Sequence, residues 1–240
     1  MLEAHCSQIR GMSYMAGQYH LDTGQYSLDK FRRLIESQEL SPGRRILKEK
    51  LQERFSVLES LGISNLGMLI DRLKTADRLK KFAAESGLPV DYLTVLSRHA
   101  RSLTPMPLSL KDIPGVDPAY VNGLAALGVK NAKQLFERSV TPADRAALSS
   151  QANVPGKVLL ELVRMSDIAR VGYVGPIFAR LMYEAGVDSL KTLAANQPED
   201  LYARLVAVNS RLKLTKGSFT VRDVAYCVEA AKEHTQIIEY

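Results

Sequence analysis

Apolar residues recur along this chain at intervals of three and four, while alternating apolar and polar runs are rare, a pattern that predicts helices throughout. One stripe passes through Leu159, Leu162 and Met165, another through Phe178, Leu181, Met182 and Ala185. Between the stripes stand residues that start and stop helices. Asp117 is a good N-cap because its carboxylate can accept a free amide of the first turn, and Pro118 suits the next position because its missing N–H has no partner there anyway. Gly128 suits the left-handed residue that ends a helix, so one is expected from Pro118 to Leu127. Thr141-Pro142 repeats the device, Val154-Pro155 separates two further helices, and Gly175-Pro176 opens a helix to Ala185. Ser27 begins the first helix, and Ser41-Pro42 caps a long one expected to run unbroken to about Leu61. The fold class is all-α.

Shifted by 66 positions, the chain matches itself. Leu58, Leu61, Gly62, Ile63 and Leu69 fall on Leu124, Leu127, Gly128, Val129 and Leu135, and Leu88-Pro89 falls on Val154-Pro155. A further shift of 58 brings Met182, Ala185, Gly186, Val187 and Leu193 onto the same places. Apolar spacing and turn residues that repeat together mark duplicated supersecondary units. Tandem helical repeats are therefore expected, about five short helices in each, over residues 27–105, 106–168 and 169–240. Pro105 and Pro107 mark one break and Arg170–Gly172 the other. Thr215–Thr220 is an insertion in the third copy, ahead of a final helix. Residues 1–26 contain Gly, Tyr and Met, show no helical period beyond a strand-like Tyr19–Asp22 piece, and read as a weakly ordered leader, with Met12 and Met15 as alternative starts.

Charge adds a preference for anionic partners, with a net +6 and an isoelectric point near 9.3. The excess lies mostly in residues 1–105, which hold 16 basic against 12 acidic side chains. It gathers at Arg44, Arg45, Lys48, Lys50 and Arg54, and again at Arg72, Lys74, Arg78, Lys80 and Lys81. Cys6 and Cys227 stand far apart with no paired-cysteine motif, which suggests a reducing compartment. No apolar run approaches the roughly 18 residues of a membrane span, so a cytoplasmic protein without a membrane partner is expected. His5, His20, His99 and His234 are scattered and read as surface histidines, so no metal site is expected. No phosphate loop or nucleophile elbow is present, so no cofactor, no small-molecule substrate and no catalytic residue is assigned.

Two turns carry the candidate chemistry: Ile113-Pro114-Gly115-Val116-Asp117-Pro118 and Val171-Gly172-Tyr173-Val174-Gly175-Pro176. Both resemble the helix-hairpin-helix turn, whose usual pattern is Pro-Gly-hydrophobic-Gly. That resemblance implies a SAM-like helical fold in which glycine lets the backbone approach a DNA phosphate and free amides at the start of the second helix bind it. Each turn departs at one place, since Asp117 replaces the second glycine and Tyr173 the first. Asp117 puts a negative charge where a phosphate would sit, so the third unit's turn is the better candidate. There Gly172, Tyr173, Val174 and Gly175 form the turn, Ile177 and Phe178 offer amides, and Arg170 and Arg180 are expected to flank the phosphate. Gly115 is the corresponding residue of the second unit. In the first unit Leu47–Leu51 reads as uninterrupted helix, leaving Arg44, Arg45 and Lys48 as salt-sensitive side-chain contacts.

Residues 27–240 also resemble an uncharacterised bacterial domain-of-unknown-function family with tandem helix-hairpin-helix-like units. Leu40–Leu47, Gly115–Pro118 and Val174–Val187 carry that likeness. The expected function is non-enzymatic, sequence-independent nucleic-acid binding through hairpin amides and basic side chains. One alternative is a protein-interaction scaffold of stacked units in which the hairpins are structural. A weaker one is a DNA glycosylase-like enzyme, for which Lys130 and Lys191 follow the hairpins.

Overall fold

The computed structural model describes residues 19–240. His5, Cys6, Met12, Met15 and most of the expected leader lie outside the described residues. The described residues contain helices, turns and two isolated bridges, Ser27 with Asn65 and Ser109 with Asn131, and no β-strand. They fall into two compact units, one of residues 21–105 and one of residues 106–240 joined by Tyr19 and His20.

The smaller unit holds α1 (Leu28–Ser37), α2 (Leu51–Ser60), α3 (Leu66–Arg72), α4 (Ala76–Ser86) and α5 (Val90–Arg101). Phe31, Phe55, Leu58, Leu69, Phe82 and Leu96 meet in its core. The stripe on each helix is too short to hold that helix in water, so this shared burial is what stabilises them. The unbroken helix expected from Ser41 to Leu61 is not formed. Pro42–Leu47 is a 3-10 helix, Lys50 adopts a left-handed φ of 47°, and α2 begins afresh at Leu51. At the break Arg54 Nη1 donates to the Ile46 carbonyl at 2.8 Å.

The larger unit holds α6 (Pro118–Ala126), α7 (Ala132–Glu137), α8 (Pro142–Ala152), α9 (Gly156–Ile168), α10 (Pro176–Glu184), α11 (Leu190–Ala194), α12 (Pro198–Leu212) and α13 (Val221–Lys232). One continuous core runs from Leu108 to Ile238. The break expected near residue 170 falls inside it, because Ile168, Ala169 and Val171 are buried where α9 meets the following turn. Tyr19–Asp22 forms no strand. The chain bends at Tyr19 and His20, and the buried Tyr19 ring sits edge-on to Phe136 at 5.4 Å.

The same helix ends recur at the spacing of the sequence match. Gly62, Gly128 and Gly186 take φ of 79°, 81° and 84°. After each, an amide reaches back past the glycine to the helix it ends: Ile63 to Leu58, Val129 to Leu124, Val187 to Met182. The residues ending α4, α8 and α12 are also left-handed: Gly87, Asn153 and Lys213. Asn65, Asn131 and Ser189 cap α3, α7 and α11 with their side chains.

Candidate functional site

The two hairpin turns share a backbone and differ in how they treat the helix that follows. Gly115 and Tyr173 occupy the same place, with φ of 77° and 70°. At residue 115 glycine adopts this conformation freely. At residue 173 a tyrosine is held there, in a turn closed by the Val174 amide on the Val171 carbonyl. Asp117 Oδ1 then accepts the Ala119 amide at 2.8 Å, so the second unit's turn caps itself with its own negative charge. Gly175 has no side chain to do this. Among the described residues nothing accepts the amides of Ile177 and Phe178, and the start of α10 is left open.

Beside that open end lies a cleft of about 470 Å³. Tyr173, Gly175, Ile177 and Phe178 form one wall, and Thr215–Phe219 with the start of α13 forms the other. Phe219 meets Phe178 at 5.3 Å and Tyr202 at 5.7 Å, both edge-on, and Tyr226 braces Tyr173 at 5.0 Å. Tyr173 keeps 51% of its surface exposed and Ile177 42%. Asp223 also lines the cleft, but its carboxylate accepts the Thr220 amide at 2.8 Å in a capping box. Cys227 lies at the floor, where burial pushes its thiol up to about 12 and keeps it neutral and inert.

Several residues expected to flank a phosphate are elsewhere. Arg170 is 1% exposed. Its Nη1 pairs with Asp167 at 2.9 Å, Nε donates to the Tyr19 carbonyl, and the guanidinium lies over Phe136. Arg180 is also buried, donating to the Pro114 carbonyl at 2.9 Å and pairing with Glu161 and Glu184. Both arginines are spent on internal carbonyls and carboxylates, which corrects the expectation that they flank a ligand. Arg180 instead ties the second unit's turn to α10.

In the smaller unit, Arg44 Nη1 meets His99 Nδ1 at 3.4 Å and Lys48 Nζ donates to the Glu36 carbonyl at 2.8 Å, while Arg45 is exposed. Leu47–Leu51, read as uninterrupted helix, is broken by a turn at residues 48–50. His99, read as a surface residue, is fully buried against Phe31, and burial, then Arg44, lowers it to about 4. Neither Lys130 nor Lys191 lines the cleft. Among the described residues no three of His, Cys, Asp and Glu gather as metal ligands do. No described helix is long and apolar enough to cross a membrane.

A family model described as a domain of unknown function, DUF4332, matches residues 114–234. The chain belongs to this family. The match starts at Pro114 in the second unit's turn and ends in the segment after α13, so it spans both turns and the cleft. It covers a shorter stretch than the 27–240 over which the resemblance was expected. No curated protein matches the chain, and no solved structure does.

The cleft's second wall is what sequence reasoning missed. Thr215–Phe219 reads as an insertion without a pattern of its own. Its signal was the aromatic Phe219 just before the Thr220 cap, a position that often packs back on the chain.

Proposed function

We propose that this DUF4332 protein is a non-enzymatic binding module that holds nucleic acid, independently of base sequence, at the open start of α10. The observation that carries this reading is the contrast between Asp117, which closes one hairpin, and Gly175, which leaves the other open. Two amides with no acceptor among the described residues, at the positive end of a helix, favour a phosphate oxygen, and contacts of that kind position a strand without reading it. Lys216, in the chain between the cleft residues Thr215 and Gly217, is exposed and adds cationic charge, with no ion pair among the described residues.

The test is Gly175→Asp, which gives the third unit's turn the self-capping carboxylate of the second. Nothing stands within 4 Å of where its Cβ would be, and the extended backbone at Gly175 suits an aspartate cap. The variant should fold as well as the parent or slightly better. Its affinity for nucleic acid at about 50 mM salt should fall about tenfold or more, because the carboxylate takes the Ile177 amide, as Asp117 takes that of Ala119, and puts negative charge where the phosphate would sit. Equal binding by parent and variant, or none by the parent, ends the proposal.

A second reading, a scaffold for a protein partner, is favoured by the aromatic lining of the cleft. It expects capture that is insensitive to salt and unaffected by Gly175→Asp.

A further inference from the structure

From the cleft beside the open amides we infer that the preferred ligand is a single strand, one of whose bases enters against Tyr173 and the Phe178–Phe219 pair while its phosphate sits on α10. This rests on the nucleic-acid reading above and goes beyond it. Phosphate contacts alone take duplex and single strand alike, because both expose their backbones. The cleft makes the difference. Its volume of about 470 Å³ lies within the range of small-ligand sites, about 300–1,000 Å³. A paired base in a duplex is stacked on its neighbours and cannot enter such a space unless it is flipped out, which costs unstacking energy that an unpaired strand avoids.

The lining suits a base. Phe178 and Phe219 hold each other edge-on, and Tyr173, half exposed and braced by Tyr226, offers a ring at the lip. Every base has a flat π surface, so rings of this kind bind without regard to sequence. Ser218 adds a hydroxyl with no partner among the described residues. Lys216, exposed and with no ion pair among the described residues, stands in the chain between the lining residues Thr215 and Gly217, and the carboxylate that lines the cleft, Asp223, is held in its helix cap. An apolar peptide would use the rings but leave the α10 amides without partners.

The experiment compares a labelled oligothymidylate with a duplex of equal length by fluorescence anisotropy, using the full chain at about 50 mM salt. The parent should favour the single strand about tenfold. Tyr173→Gly should erase that preference by lowering single-strand affinity about tenfold and duplex affinity much less. Glycine is at ease at a φ of 70°, so the variant keeps its fold, to be checked by its melting curve. Phe219→Leu, which keeps the apolar volume and removes the ring, should weaken single-strand binding in the same direction. Equal affinity for both forms, or a preference that survives loss of the Tyr173 ring, overturns the inference and leaves the phosphate reading standing. Binding of neither form removes both this inference and the phosphate reading.

Discussion

Arg170 Nη1 lies 2.9 Å from Asp167 Oδ1 at a point where neither side chain reaches solvent. The pair gathers distant parts of the larger unit. Arg170 Nε holds the Tyr19 carbonyl, its Nη1 and Nη2 hold that of Thr235, and Asp167 Oδ2 accepts the Leu190 amide and the Tyr240 hydroxyl. Burial and the Asp167 carboxylate both raise the Tyr240 hydroxyl above its ordinary value, so it remains a donor at neutral pH.

Removing one partner of a buried pair strands the other. Arg170→Ala should therefore destabilise the protein by about 3–5 kcal/mol. Urea unfolding, followed by far-ultraviolet circular dichroism, should show the loss. A change of less than about 1 kcal/mol would mean the network is idle.

Gly123 lies within α6, where its close packing against α8 leaves no space for a side chain. A Cβ there would be driven into the Ala152 carbonyl oxygen. Gly123→Ala gains about 1 kcal/mol of helix propensity but forces the two helices apart, at about 1–3 kcal/mol. The expected net effect is a lower melting temperature, opposite to what propensity alone predicts.

His99 sets an acid limit on the smaller unit. Its folded pKa of about 4 lies below the ordinary 6.5, so between these values the unfolded chain binds the proton and the folded one does not. The stability that rests on neutral His99 is complete above pH 6.5 and is lost as pH falls towards 4, a change of roughly 3 kcal/mol. His99→Leu should flatten the fall in melting temperature over that window. An unchanged slope would show that His99 does not drive it.

Asp117→Gly should open the second unit's turn as Gly175 opens the third. Replacing an aspartate cap by glycine costs only a few tenths of a kcal/mol. Removing its charge and freeing the Ala119 amide should tighten nucleic-acid binding about two- to fivefold. Titration of parent and variant at two salt concentrations checks this, and weaker or unchanged binding would count against hairpin recognition.

Helix after helix was legible in the sequence because its signals are local. Asp117-Pro118, Thr141-Pro142 and Gly175-Pro176 start α6, α8 and α10 where expected, and Gly62, Gly128 and Gly186 end their helices. The position of the candidate turn was legible for the same reason, since Gly175 and Pro176 fix the local backbone and leave the next two amides without a cap.

Tertiary structure alone decided which side chains serve that turn. Arg170 and Arg180 stand beside it in sequence, yet both point inward: Asp167 and Glu184 pair with them from one helical turn away, and Glu161 and the carbonyls of Tyr19, Thr235 and Pro114 hold them from distant segments. The break at Lys50 and the burial of His99 likewise follow from what packs around them. A cap or a turn is set by neighbours a few residues away, and the sequence carries that. The fate of a long charged side chain depends on partners that only folding brings within 3 Å, and no local pattern encodes it.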